Sequence, residues 1–171
     1  LTIPAKRNGK NVVAVASSGF RGRAEIEGVV LPDTIRSIGK DAFSGCTNLV
    51  RISFPDGLEK IGDGAFSGTA VEAVELPDSV RSIGKNAFTD CTQLTSITLA
   101  SGLQKIGDGA FSGTGLETVF LPETVKAVGD NAFGNCANLS VVRIAQDNVI
   151  PSTWAKTWNS NMTAAISFVY C

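Results

Sequence analysis

A phenylalanine recurs along the chain at an almost constant interval. Successive members of the series are separated by 23, 23, 22, 23 and 22 positions. The series is Phe20, Phe43, Phe66, Phe88, Phe111 and Phe133. Self-similarity at a fixed period of about 20 to 50 residues is the signature of repeat architectures, in which one small unit is stacked many times. The period therefore restricts the 171-residue chain to a stack of similar coils.

The repeat unit reads L-P-x-x-Φ-x-x-Φ-G-x-x-A-F, then a short turn, then Φ-x-x-Φ-x-Φ, where Φ is aliphatic or occasionally aromatic. We predict a divergent N-terminal repeat over residues 1–30 with an extra loop at 6–11, five repeats of 22 to 23 residues over 31–145, and a C-terminal cap over 146–171. The turn after the phenylalanine alternates between a longer form, such as S-G-C-T-N-L, and a shorter form, such as S-G-T-A-V. The shorter form lacks one residue and accounts for the 22-residue intervals.

Segments such as Leu49-x-x-Ile52-x-Phe54 end in the alternation of a short strand, with the last two apolar residues pointing inward. Stacked copies of such a strand form a parallel sheet, and a unit this short needs a neighbour on each side to bury its apolar face. A period of about 20 to 29 residues with this pattern is typical of leucine-rich repeats. We expect the rest of each unit to return across the opposite face as turns and short helical or extended segments. There Gly62 would permit a tight or left-handed turn, and the phenylalanines would stack into an aromatic spine.

Three strings carry a family resemblance: IRSIGKDAFSGCTNLVRISFP, VRSIGKNAFTDCTQLTSITL and VKAVGDNAFGNCANLSVVRI. Through the pattern LPxxΦxxIGxxAFxxCxxLxxI they closely resemble the BspA-like leucine-rich repeats of bacterial surface proteins, over roughly residues 1 to 150. The resemblance implies a right-handed leucine-rich repeat solenoid of the α/β superhelix class that works in adhesion or protein binding. It also implies a secreted or cell-surface location, with any signal or anchor outside this segment.

Composition argues against several classes of function. The chain has no histidine, which removes the commonest general base and metal ligand, and it lacks G-x-S-x-G, Walker and E-x-x-H motifs. We therefore expect no enzyme and no cofactor. With 15 basic and 16 acidic residues there is no global positive field to hold nucleic acid. No apolar run approaches the roughly 18 to 20 residues needed to cross a bilayer, so we expect no membrane insertion within this segment. We also expect the module to be a monomer.

The cysteines follow the repeat. Cys46, Cys91 and Cys136 are 45 residues apart, which is two coils. Two coils at about 4.8 Å per strand separate these sites by about 10 Å, beyond the roughly 7 Å Cα limit for a disulfide. A zinc site formed by these cysteines is excluded for the same reason, since zinc ligands must converge on one ion. We predict free, buried turn cysteines and assign no role to Cys171.

Charged residues recur with the same period as the repeat. One set of carboxylates follows the proline and another follows the glycine, but their spacing matches no calcium motif and we predict no metal site. The sets are Asp33, Asp56, Asp78 and Glu123, then Asp63, Asp108 and Asp130. A basic column is expected at Arg36, Lys60, Arg81, Lys105 and Lys126. This column is either a solubilising face or a docking stripe for an acidic partner or polyanion, which the salt dependence of binding would separate.

After Ile144 the repeat stops. Ser152 can cap a short helix after Pro151, which would place Trp154 and Trp158 on one helical face. Ile166, Phe168 and Tyr170 alternate as in a strand. We interpret this segment as the cap that covers the last coil; the alternative is that the two tryptophans form an aromatic platform for a carbohydrate.

The outward positions of the presumed concave strands are the expected binding surface. Most are small and hydroxylated, which makes a flat face suited to a protein or extended polymer rather than a small metabolite. The candidate binding residues are Arg51, Ser53, Glu75, Ser96, Thr98, Thr118, Phe120 and Arg143, and Ala73 and Val141 occupy the remaining positions. Phe120 is a candidate anchor, or it packs on the cap or on Val141.

The function predicted from the sequence is therefore a non-enzymatic interaction or adhesion module. Its expected partner is a protein of the host or of a neighbouring cell, with matrix proteins and glycans among the candidates. The alternative is a structural spacer that presents another domain of a larger surface protein.

Overall fold

The chain is a parallel β-solenoid of about six coils. The structure is a computed structural model and describes residues 1–145, 150–159 and 164–168. The strands of this part are, in chain order, β1 (Lys6–Arg7), β2 (Lys10–Asn11), β3 (Ala14–Val15), β4 (Gly28–Val30), β5 (Ser37–Ile38), β6 (Arg51–Ser53), β7 (Lys60–Ile61), β8 (Ala73–Glu75), β9 (Ser82–Ile83), β10 (Ser96–Thr98), β11 (Lys105–Ile106), β12 (Thr118–Leu121), β13 (Ala127–Val128), β14 (Val141–Ile144) and β15 (Ala165–Phe168).

Each coil contributes one strand to each of two sides of the solenoid. On one side, which we call sheet I, the two-residue strands form an uninterrupted parallel ladder in the order β3, β5, β7, β9, β11, β13. On the other side, sheet II, the longer strands are grouped as β4 with β6, β8 with β10, and β12 with β14 and β15. The extra loop at 6–11 is the antiparallel hairpin β1–β2, whose tip residues Asn8 and Gly9 are left-handed.

The predicted aromatic spine is confirmed. Consecutive phenylalanine rings of the six-member series lie 5.2 to 5.5 Å apart between centroids and within 5 to 12° of parallel. The five rings from Phe43 to Phe133 are fully buried, whereas Phe20 at the N-terminal end is partly exposed. Because every coil adds one ring at the same place, the core is a continuous column rather than a set of separate clusters.

The expected α/β superhelix with helical segments is wrong, since no helix occurs in the part of the chain that the structure describes. The chain around each phenylalanine is instead a run of turns with a left-handed residue two positions before the ring and another two positions after it. A right-handed helix requires consecutive right-handed residues, so this alternation excludes one. The first column is Ser18, Asp41, Gly64, Asn86, Gly109 and Asn131, and the second is Gly22, Gly45, Gly68, Asp90, Gly113 and Asn135.

The glycine of the I-G-x-x-A-F motif has a different role from the one expected. Gly62 and its equivalents are not left-handed; they lie where consecutive coils approach most closely. A Cβ on Gly62 would come within 2.7 Å of the carbonyl carbon of Gly39, and a Cβ on Gly84 within 2.5 Å of the amide nitrogen of Asp63. The column therefore requires glycine because any side chain would collide with the backbone of the preceding coil.

The cysteines are free and buried, as predicted, and the structure explains their spacing. The thiols of Cys46, Cys91 and Cys136 donate hydrogen bonds to the carbonyl of the phenylalanine in the preceding coil at 3.0, 3.0 and 3.1 Å. In the intervening coils the same position holds Thr69 or Thr114, and these hydroxyls lie 3.3 and 3.2 Å from the next thiol. The result is an internal column in which cysteine and threonine alternate. Burial raises the pKa of the Cys91 thiol.

The C-terminal segment covers the last coil without the helix expected after Pro151. Residues 151–159 form turns, so Ser152 caps no helix. Trp158 packs edge-on against Phe133 at 6.3 Å and 88°, and Trp154 packs edge-on against Trp158 at 5.2 Å. Their exposures of 5% and 3% exclude the alternative of an aromatic carbohydrate platform. β15 then extends sheet II beside β14; Tyr170 and Cys171 lie outside the described residues.

Candidate interaction surfaces

The outward face of sheet II carries two parallel rows of side chains, set by the strand register. Row 1 consists of Gly28, Arg51, Ala73, Ser96, Thr118, Val141 and Ala165. Row 2 consists of Val30, Ser53, Glu75, Thr98, Phe120, Arg143 and Ser167. All eight candidate binding residues are exposed and lie in these rows, three in row 1 and five in row 2. The alternation read from the sequence thus places them together on one surface.

Phe120 and Arg143 are cross-strand neighbours in row 2. They occupy paired positions on β12 and β14, whereas Val141 is the partner of Thr118. The Phe120 side chain is 46% exposed, so the described part of the C-terminal segment leaves much of it uncovered. An exposed phenylalanine ring beside a guanidinium combines two residue types that are enriched in protein interfaces.

The N-terminal end of the same face is a shallow groove of about 500 Å³. Its walls include Arg51 and Ser53 of the candidate set together with Glu25 and Glu27, which the sequence reasoning did not select. The glutamates precede β4 and bring carboxylates beside the arginine. This end of the face therefore combines charged side chains with the exposed Val30 of row 2, so both ends of the face are partly apolar.

The basic column expected from the sequence is wrong, because its five residues lie in two columns on the sheet I side of the solenoid. Lys60 pairs with Ser37 and Ser82 in sheet I, and Lys105 pairs with Ser82 and Ala127. Arg36, Arg81 and Lys126 belong to the preceding position, where Glu59 and Gln104 alternate with them. The cations therefore zigzag between two columns because the sequence alternates with a period of two coils.

The carboxylates after the glycine alternate with cations up to Asp108, which is followed by a second carboxylate. The column reads Lys40, Asp63, Lys85, Asp108 and Asp130. Lys85 Nζ lies 2.6 Å from Asp108 Oδ2, and the amide of Lys85 donates to Asp63 Oδ1 at 2.8 Å. The contact with Lys85 lowers the pKa of Asp108, and the contact with Asp108 raises the pKa of Lys85. This column therefore offers no continuous stripe of positive charge to a polyanion.

Together the fold and these surfaces define a class of protein: a parallel β-solenoid of the leucine-rich repeat kind whose longer strands present a flat, exposed face. Residues 14–140 match the BspA type leucine-rich repeat region in six copies. The chain belongs to this family, as the repeat motif in the sequence indicates.

Solved structures of bacterial proteins share the fold. A leucine-rich repeat protein of T. pallidum is 35% identical with a TM-score of 0.80, covering 84% of this chain and 71% of that one. The pneumococcal vaccine antigen PcpA is 33% identical with a TM-score of 0.75, over 86% of this chain and 40% of the antigen. A leucine-rich cell surface protein of Faecalibacterium prausnitzii is 28% identical with a TM-score of 0.60, over 86% and 49%.

The chain thus spans less than half of the length of the last two proteins. No curated protein sequence matches this chain at a significant level. In the described residues, no helix has the length and apolar character to span a membrane.

Proposed function

We propose that this chain is a non-enzymatic interaction and adhesion module of a bacterial surface or secreted protein, and that the outward face of sheet II binds a protein or an extended polymer. Membership of a repeat family of generally non-catalytic interaction scaffolds supports the first part. The printed descriptions of two structural relatives, a vaccine antigen and a cell surface protein, support the location.

The observation that carries the proposal is the environment of Phe120. Its register partner Arg143 and its neighbour Thr118 are also exposed, and no described aromatic ring contacts it. An exposed large ring contributes little to the stability of the solenoid, because the same row holds Thr98 and Ser53 in other coils. A partner that covers the ring and the guanidinium would bury apolar area and pair a charge at one place, which is how interface anchors act.

The repeat itself supplies well-matched test variants. Phe120→Thr and Arg143→Ser install residues that row 2 already holds at Thr98 and Ser167. Lys105→Ser is the control, since it removes an exposed side chain from sheet I and installs the residue found at Ser82. The probes are a panel of purified human matrix proteins and a glycan array, with affinities measured by biolayer interferometry.

For any probe that binds, we expect Phe120→Thr and Arg143→Ser each to weaken affinity by tenfold or more, about 1.4 kcal/mol. Lys105→Ser should leave it unchanged. Arg51→Ala tests the opposite end of the same face. If every binding activity survives the three sheet II changes, the face assignment is wrong. If no probe of the panel binds the unchanged module, the spacer alternative is favoured.

A further inference from the structure

Sheet II is interrupted at two places, and both follow from the length of a turn. Pairing stops between β6 and β8 and again between β10 and β12. The strands β8 and β12 are the ones that follow the shorter turns, at 67–71 and 112–116. The strands β6, β10 and β14 follow the longer turns, and each pairs with the strand before it. We call the two interruptions seams.

The hydrogen bonds that lead into these strands change with the turn. After a longer turn, the entering amide lies 2.9 to 3.0 Å from its acceptor in the preceding coil; the pairs are Val50 N to Glu27 O, Thr95 N to Glu72 O and Ser140 N to Glu117 O. After a shorter turn the distance is 3.4 Å from Glu72 N to Val50 O and 3.5 Å from Glu117 N to Thr95 O. The missing residue holds the start of β8 and β12 away from the preceding strand.

The other side of the solenoid shows no such alternation. The amides leading into sheet I bond at 2.8 to 2.9 Å in every coil from Arg36 to Lys126. The phenylalanine spacing of 5.2 to 5.5 Å is equally uniform across both seams. Sheet I and the aromatic column therefore hold the coils together continuously, while sheet II is held only in groups of two or three strands.

We propose that the seams are hinges: sheet II consists of three plates that rotate relative to one another about sheet I. Opening a seam breaks no strand ladder of sheet II, because the ladder is already interrupted there, whereas opening sheet II elsewhere would break a formed ladder. Ser53 and Glu75 hold equivalent row 2 positions on the two sides of the first seam, and Thr98 and Phe120 do so at the second. Rotation at a seam thus changes the curvature of the outward face and the spacing of those pairs.

Amide hydrogen exchange measured by NMR on the unmodified chain tests the hinges. Glu75 and Phe120 stand just after the seams, and Thr98 and Arg143 occupy the same row after intact junctions. We expect the amides of Glu75 and Phe120 to exchange about tenfold faster than those of Thr98 and Arg143. Equal protection of all four amides would overturn the proposal, and this comparison requires no variant.

A turn graft provides a second test with an internal control. Residues 67–71 are replaced by S-G-C-T-N-L, the sequence of residues 44–49, which restores the missing residue at the first seam only. We expect the exchange rate of the Glu75 amide to fall to that of Thr98, while Phe120 at the second seam stays fast. A folded graft in which Glu75 still exchanges as fast as Phe120 would show that turn length does not set the seam. Because neither experiment uses a ligand, their outcome is independent of the proposed binding function.

Discussion

Replacing Phe88 by alanine tests the aromatic column at its centre. The ring is fully buried and stacks on Phe66 at 5.2 Å and on Phe111 at 5.5 Å. Core Phe→Ala substitutions cost about 3 to 5 kcal/mol because they remove apolar contact and leave a cavity. The upper half of that range applies here, since two stacked ring contacts of about 0.5 to 1.5 kcal/mol each are lost together. The coils above and below cannot close the gap because their own backbones are already in contact at the glycine column.

The measurement is chemical denaturation with a parallel thermal melt. At about 3 °C per kcal/mol for a chain of this size, the melting temperature should fall by about 10 °C or more. Phe120→Ala is the matched control: it is the same chemical change at a largely exposed ring, and it should cost under about 1 kcal/mol. If Phe88→Ala lowers the free energy of unfolding no more than Phe120→Ala does, the reasoning that the aromatic column stabilises the fold is refuted. A fall in the denaturant m-value would show that the two halves of the solenoid unfold separately.

Three further outcomes are expected. Gly84→Ala should destabilise the fold by about 1 to 3 kcal/mol in the same denaturation assay, because its Cβ would meet the preceding backbone; Gly28→Ala, where the nearest contact is an ordinary 3.6 Å, is the control and should cost less. The depressed pKa of Asp108 means that its contact with Lys85 stabilises the fold above the ordinary carboxyl pKa and is lost as the pH falls through the lower, folded-state value. Asp108→Asn should therefore flatten the acid limb of stability against pH, and an unchanged limb would contradict the assignment. The buried Cys91 thiol, whose pKa is raised, should resist alkylation in the native protein and react on unfolding, as judged by mass spectrometry of its peptide; rapid native labelling would contradict its burial.

Much of the fold was predictable because the repeat shows the same weak pattern of apolar alternation in every coil. One strand of three residues carries little information, but the same alternation in successive coils places Arg51, Ser96 and Thr118 on the exposed face of sheet II. The same periodicity predicted the buried phenylalanine column and the free cysteines, since register alone sets the distances between equivalent positions.

The errors have a common physical origin. Short helical or extended segments are both compatible with the sequence on the opposite face, because the apolar spacing in that half of the unit fits more than one conformation. The signal that excludes a helix lies in the column of Asp41, Gly64 and Asn86, where after Ser18 only aspartate, asparagine and glycine occur, the residues that best tolerate a left-handed backbone. The basic column was drawn through Arg36 and Lys60 although they occupy neighbouring positions, a distinction that the two-coil period of the sequence would have revealed.

The candidate site was predictable in its position but not in its character. Alternation places Phe120 outward, yet its exposure also depends on how the C-terminal segment passes the last coils, and that packing follows no repeat. The position of the seams likewise could not be predicted from the sequence. A turn that is shorter by one residue does not by itself show which hydrogen bonds lengthen.

The internal column of Cys46, Thr69, Cys91, Thr114 and Cys136 limits how such a chain can grow. Duplicating a single coil would place two cysteines or two threonines in adjacent coils, and the contact between a hydroxyl and the next thiol would be lost there. Duplicating two coils repeats every neighbour relationship unchanged. A solenoid of this kind therefore lengthens without disturbing its internal packing only in steps of 45 residues, the interval that separates Cys46 from Cys91 and Cys91 from Cys136.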